Sequence, residues 1–226
     1  MIQDFPNGLL WMSREPLDPV PIEASWTHDP VHSVLAILTI VLLIIFMRDF
    51  FILAGPVSRC LVRGKANVEL EHSVQLARTR NRAALLALLP MWLAAERFSL
   101  VSESMWITLA IVTGYLFLRG FFSAVLPSGR LPSESRLAVR RALYTYSIVL
   151  SALMTVTVGI WALARWDIGT MRYVLAAEAG VILMLSFGRE AQILNTVFRP
   201  FITFLYLCGL EILPAAGLVA ASILVK

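Results

Sequence analysis

The stretch Val31–Leu53 carries one charge pair, Arg48 and Asp49, among residues that are otherwise mostly apolar. A hydrocarbon layer ~30 Å thick is crossed by ~20 residues of helix. Within that layer each backbone amide must find its partner inside the protein, which leaves helices and closed barrels as spanning structures. Apolar segments of similar length recur along the chain, and none alternates as a strand would. The expected fold class is therefore all-α, a polytopic transmembrane helix bundle of about six spans. The spans are expected at about 31–53, 83–100, 105–126, 143–164, 173–188 and 200–226. Together they make one helical domain, 31–226, behind an acidic, proline-containing extracytoplasmic tail, 1–30. Charged residues make up 15% of the chain, and mean hydropathy is +0.77. Soluble domains carry ~25% charge, so this composition suits a chain solvated by lipid.

Charge placement orients the expected bundle. Residues 1–30 hold Asp4, Glu15, Asp18, Glu23 and Asp29 against the single base Arg14. The loops 55–82, 127–141 and 189–199, with Arg48, carry 13 of the 19 Lys/Arg residues. Cytoplasmic loops collect Lys and Arg, so both termini are expected on the non-cytoplasmic side. All six tryptophans (Trp11, Trp26, Trp92, Trp106, Trp161 and Trp166) fall toward that same outer side. Indole rings favour the headgroup level, so the two signals agree. The basic loops lack the aromatic interleaving that stacks bases, so no nucleic acid is expected. Their expected partner is the lipid bilayer, through anionic headgroups.

Ionisable groups inside apolar segments are the strongest functional clue such a chain offers, because each is costly unless compensated. Glu211 is the deepest, about eleven residues into the last segment, with Cys208 on the same face. Pro214, three residues on, withholds an amide from the carbonyl of Leu210 and should kink the helix. Arg119, with Tyr115 one turn earlier, is expected either to snorkel or to pair with Glu211. Glu178 and Arg189 lie in and beside the fifth segment. Glu178 is expected to reach Arg172 or Arg165, and Arg189 a separate partner. These seven residues form the expected intramembrane polar site. Ser147, Ser151 and Thr155 make a hydroxyl stripe on the fourth segment, which suits close helix packing.

No catalytic residue, metal site or cofactor is expected. His28, His32 and His72 lie outside the apolar core, so haem ligation between facing helices is not supported. There is no zinc-ligand spacing, phosphate loop or nucleophile elbow.

The closing stretch FRPFITFLYLCGLEILPAAGLVAASILVK resembles the last helix of an uncharacterised bacterial inner-membrane family, a domain of unknown function. That helix has the form FLYLC-x-LEILP and ends near a lysine. Phe204 to Cys208 and Leu210 to Pro214 match it, Lys226 matches loosely, and Phe187-Gly188-Arg189 resembles the arginine-containing stretch before it. The chain departs from the pattern in the Ala-Ala-Gly after the proline. The resemblance implies a multi-pass protein of the bacterial inner (plasma) membrane and singles out Glu211. The expected function is a non-enzymatic accessory or assembly subunit, with a membrane-protein partner or a second copy. The alternative is a small transporter or proton-coupled carrier using Glu211 with Arg119.

Overall fold

The computed structural model describes residues 30–101, 105–125, 133–164 and 167–224, apart from a few side chains that include Glu211. The expected tail, 1–30, lies outside these residues except for Pro30. The chain divides into two compact units, one ending at Leu38 and one running from Thr39 onward. Every element among the described residues is helical: α1 (Pro30–Ile45), α2 (Met47–Val62), α3 (Lys65–His72), α4 (Val74–Arg97), α5 (Met105–Val125), α6 (Ser133–Ala164), α7 (Ile168–Leu194), α8 (Pro200–Leu207) and α9 (Leu213–Leu224). A π-helical turn, Cys208–Ile212, joins α8 to α9.

Among the described residues two helices are long and apolar enough to cross a membrane, Arg136–Ala164 within α6 and Ile168–Leu194, which is α7. The pair α1 and α2 makes a third if counted as one broken span. The 27 residues of α7 reach ~40 Å at helical rise. The fifth expected segment, 173–188, is thus the middle of a longer helix.

The first expected span is corrected. Its helix ends at Ile45, and α2 leaves at 68° to α1. Phe46 makes the corner, with φ −95° and ψ 9°. Helix α1 alone, with 16 residues, reaches only ~24 Å. The reason for the turn lies in α2. Leu53, Val57 and Cys60 form a buried stripe along it, and Leu53 and Val57 pack on Ala83, Ala84 and Ala87 of α4 and Ile148 of α6. Pro56 sits inside α2, because this packing outweighs one missing amide bond.

In the basic loop 55–82 the spacing of Leu70, Val74 and Ala77 predicts one short interfacial helix with a basic end, and the segment is helical almost throughout. Helix α4 begins at Val74, nine residues before the expected span, and carries Arg78, Arg80 and Arg82. Ser73 caps it, its Oγ accepting from the Leu76 amide at 3.4 Å. Pro90 does not interrupt it. Helix α6 also starts early, at Ser133, and takes in Arg136, Arg140 and Arg141. Charge misled the boundary in both cases. These arginines are buried or half-buried against neighbouring helices, or continue the helix past its apolar part.

Helix α6 is the hub, packing on α2, α3, α4 and α7. The alanines of α4 let it approach α6 closely, the usual role of small residues between membrane helices. Ser147 and Ser151 are buried, and the hydroxyls of Ser147 and Thr155 bond back to carbonyls of their own helix. At one end Ala94, Phe98, Met154, Met171 and Leu175 pack together. There Phe98 meets Trp161 edge to face at 5.1 Å, and Arg172 donates through Nε to the Phe98 carbonyl at 2.9 Å. Helices α4 and α6 therefore run parallel, with α7 returning between their ends.

Helix α4 stops at this tryptophan end because Ser99 takes φ 47°, the left-handed conformation that usually falls to glycine. The Leu100 amide then bonds to the Ala95 carbonyl at 2.8 Å. A side chain there costs ~1–2 kcal/mol. Ser99→Gly should raise the thermal unfolding midpoint in detergent by a few degrees; a fall would show that the hydroxyl does more than the backbone argument allows.

Candidate functional site

The opposite, basic end holds two clusters of buried charge. The first is built on Glu71, from the last turn of α3. Its carboxylate faces Arg80 of α4 at 2.6 Å and Arg141 of α6 at 3.1 Å. Arg80 is 1% exposed, so burial pulls its pKa below the usual arginine value while the Glu71 charge beside it opposes that shift. Arg80 also donates through Nε and Nη2 to the Asn81 amide oxygen, at 3.2 and 2.8 Å. Next to it, Tyr146 of α6 donates to the carbonyl of Cys60 at 3.3 Å and accepts a 3.5 Å bond from Asn67. One acid and one tyrosine thus join α2, α3, α4 and α6.

The second cluster is built on Glu190, in the last turns of α7 and fully buried. Arg119 of α5, 5% exposed, donates through Nη2 to Glu190 Oε1 at 3.1 Å. Its Nη1 reaches the carbonyl of Arg140 at 3.5 Å, and Ser186 donates to the same Glu190 oxygen at 3.3 Å. Arg119 therefore does not snorkel, and its described acid is Glu190.

Arg189 points elsewhere. Its Nε and Nη2 both donate to the carbonyl of Leu61, at 3.0 and 2.7 Å, and its Nη1 to Gln192 at 3.0 Å. The last carbonyls of a helix lack internal partners, and Arg189 supplies one to α2 from outside. Gln192 in turn accepts from the Gly64 amide at 3.3 Å. A Cβ on Gly64 would stand 3.1 Å from the Arg189 carbonyl, so the α2–α3 turn docks on α7 more closely than most side chains allow.

Glu178 forms a separate site. It lies twelve residues before Glu190 on α7, ~18 Å along the axis. Of its two expected partners, Arg172 is not the one that binds it here. Thr157 of α6 donates to its Oε1 at 2.5 Å, Arg172 is held by Phe98, and Arg165 lies outside the described residues. The far oxygen of Glu178 is buried without a hydrogen-bond partner among the described residues.

The last helix departs from a simple kink. Cys208, half-buried, opens the π turn, and the Leu213 amide bonds to its carbonyl, five residues back. The wider turn ends two residues before the buried Pro214, whose missing amide would otherwise break the regular ladder. Such turns often accompany functional sites. Glu211 belongs to this turn, but its side chain lies outside the described residues, so its expected pairing does too. Tyr115 is half-buried on α5, one turn before Arg119.

Of the seven expected residues, Arg119 and Arg189 share the basic end, Glu178 stands apart toward mid-helix, and Cys208 and Pro214 flank the π turn. Glu71, Arg80, Asn67, Arg141, Tyr146 and Glu190 are the residues that sequence reasoning missed. One signal was present: Arg80 follows Ala77 and precedes Ala83, Ala84 and Ala87 at helical spacing, on the stripe that α4 buries. Among the described residues no group of His, Cys, Asp or Glu is placed to hold a metal ion. No protein-family model, no curated protein and no solved structure matches the chain.

Removing one member of a buried ion pair costs ~3–5 kcal/mol, because the other charge is left uncompensated. Glu71→Gln should therefore lower unfolding stability by about 3 kcal/mol. Glu178→Gln keeps an oxygen for Thr157 and should change it by less than ~1 kcal/mol. Denaturant or thermal unfolding in detergent reads both; equal effects would contradict the division between the two sites.

Proposed function

We propose that this chain is a multi-pass protein of the bacterial inner membrane that acts as a non-enzymatic accessory or assembly subunit. The observation that carries this reading is how its buried charges are engaged. Arg80 and Arg141 are held by Glu71, Arg119 by Glu190, and Arg189 and Arg172 by helix carbonyls. Groups fixed in this way join helices to one another, and a rigid scaffold needs that more than a relay would.

Six spans, with both termini outside the cytoplasm, remain the topology that fits the charge pattern. Helices α4, α5 and the α8–α9 stretch would supply the spans beyond α6, α7 and the α1–α2 pair. The last helix's resemblance to an inner-membrane family supports the same location. The scaffold's natural partners are a membrane protein or a second copy, alongside anionic lipid at the basic end. The carrier reading draws on one specific observation, the π turn that holds Glu211 before Pro214.

Gentle extraction from native membranes tests the leading reading. A stable, stoichiometric membrane-protein partner or homo-oligomer is expected, and elution of a lone chain under every mild detergent would contradict it. Glu211→Gln separates the two readings. A scaffold should lose abundance or partner retention, whereas a carrier should accumulate normally and lose substrate-linked proton flux in vesicles.

A further inference from the structure

The cations of the basic end include both engaged and exposed side chains. Arg80, Arg119, Arg141 and Arg189 are engaged inside the protein, as described above. Arg59, Arg63 and Lys65 are exposed and make no side-chain hydrogen bond or ion pair among the described residues. These three sit together on one elbow, the end of α2, the Arg63–Gly64 turn and the first residue of α3. Arg59 lies in the last turn of α2, and Arg63 caps the helix four residues on.

The elbow is held rigidly from beneath. Arg189 grips the Leu61 carbonyl, Gln192 accepts from the Gly64 amide, and the Arg63 amide closes back on the Arg59 carbonyl at 2.9 Å. Cations at a helix C-terminus also complement its dipole. Here Arg189 already serves a terminal carbonyl, so three further cations exceed that need. Apolar surface lies beside them: Val62 and Phe51 are each 69% exposed, and Ile52 is 47% exposed. Basic and apolar side chains together on the outer face of a helix that turns sharply from the preceding one are the signature of a membrane-surface element.

We propose that this elbow binds the phosphate of an anionic phospholipid headgroup, with Arg59, Arg63 and Lys65 around the phosphate and Val62 and Phe51 against the acyl chains. The buried stripe of α2, Leu53, Val57 and Cys60, faces the bundle. The bound lipid would thus hold the α2–α3 elbow at the membrane surface. The inference rests on the membrane reading given above.

The test is lipid retention by the full chain in nanodiscs of phosphatidylcholine with a minor share of phosphatidylglycerol. Retained lipid is read by native mass spectrometry. The wild-type chain should hold phosphatidylglycerol in excess of its bulk share. The combined variant Arg59→Gln, Arg63→Gln, Lys65→Gln should lose that preference, each removed charge weakening retention about fivefold. All three side chains are exposed, and an unchanged elution profile would verify that the variant is folded. An equal preference in the variant would overturn the proposal. So would displacement of the lipid by millimolar inorganic phosphate, which would make free phosphate the ligand. Reagent accessibility of Ser58→Cys reports the sidedness separately. Labelling from outside, with a triad-dependent lipid preference, would keep the lipid site and reject the six-span orientation. Labelling from inside, with no triad dependence, would do the reverse.

Discussion

An arginine held away from water must have an anion, and at the basic end of this protein two buried carboxylates meet that demand. Isolated charge in a low-dielectric interior is costly enough that the group finds a partner or the fold does not form. Glu71 answers Arg80 and Arg141, and Glu190 answers Arg119. Each acid lies on a different helix from its arginines, so satisfying charge also fixes which helices are neighbours. Helix α5 meets α7 through Arg119 and Glu190, and α3 meets α4 and α6 through Glu71. The Arg189 contact with the Leu61 carbonyl completes the set by tying α2 to α7.

Packing above these clusters follows from small side chains. Ala83, Ala84 and Ala87 on α4 admit the stripe of α2 on one side and Ile148 of α6 on the other. Farther along, Met154, Met171 and Leu175 fill the space around Phe98, and the left-handed Ser99 ends α4 level with Trp161. Small residues set the distance between helices, and the charge clusters set their register. Burial of apolar area drives association less in lipid than in water, which leaves close contact and polar pairing to hold the bundle.

The sequence announced helices wherever apolar runs were long: α5 keeps the expected limits almost residue for residue, and α6 and the last helix end or begin where expected. It misled where charge was taken to mean solvent. Arg78, Arg80 and Arg82 set the start of the spanning helix too late, although the phase of Arg80 with the alanine stripe marked it as buried. Glu190 escaped notice because it lies past the apolar part of its helix, and only the folded chain brings it to Arg119, 71 residues earlier. The corner at Phe46 had no local breaker to betray it. It exists because α2 has an apolar stripe to seat on α4 and α6, a tertiary cause. The proline at Pro214 was legible, while the π turn that accommodates it was not, since several backbone solutions can absorb one missing amide.

A double-mutant cycle on Arg119 and Glu190, using Arg119→Met and Glu190→Gln, tests most directly whether a shared buried charge holds α5 to α7. Coupled residues show interaction energies of about 0.5–3 kcal/mol, while independent ones add. The account predicts a coupling in the upper part of that range, with the double variant more stable than the sum of the single losses implies. Additive losses would mean that the two side chains do not depend on each other, and the organisation of the basic end would need another cause.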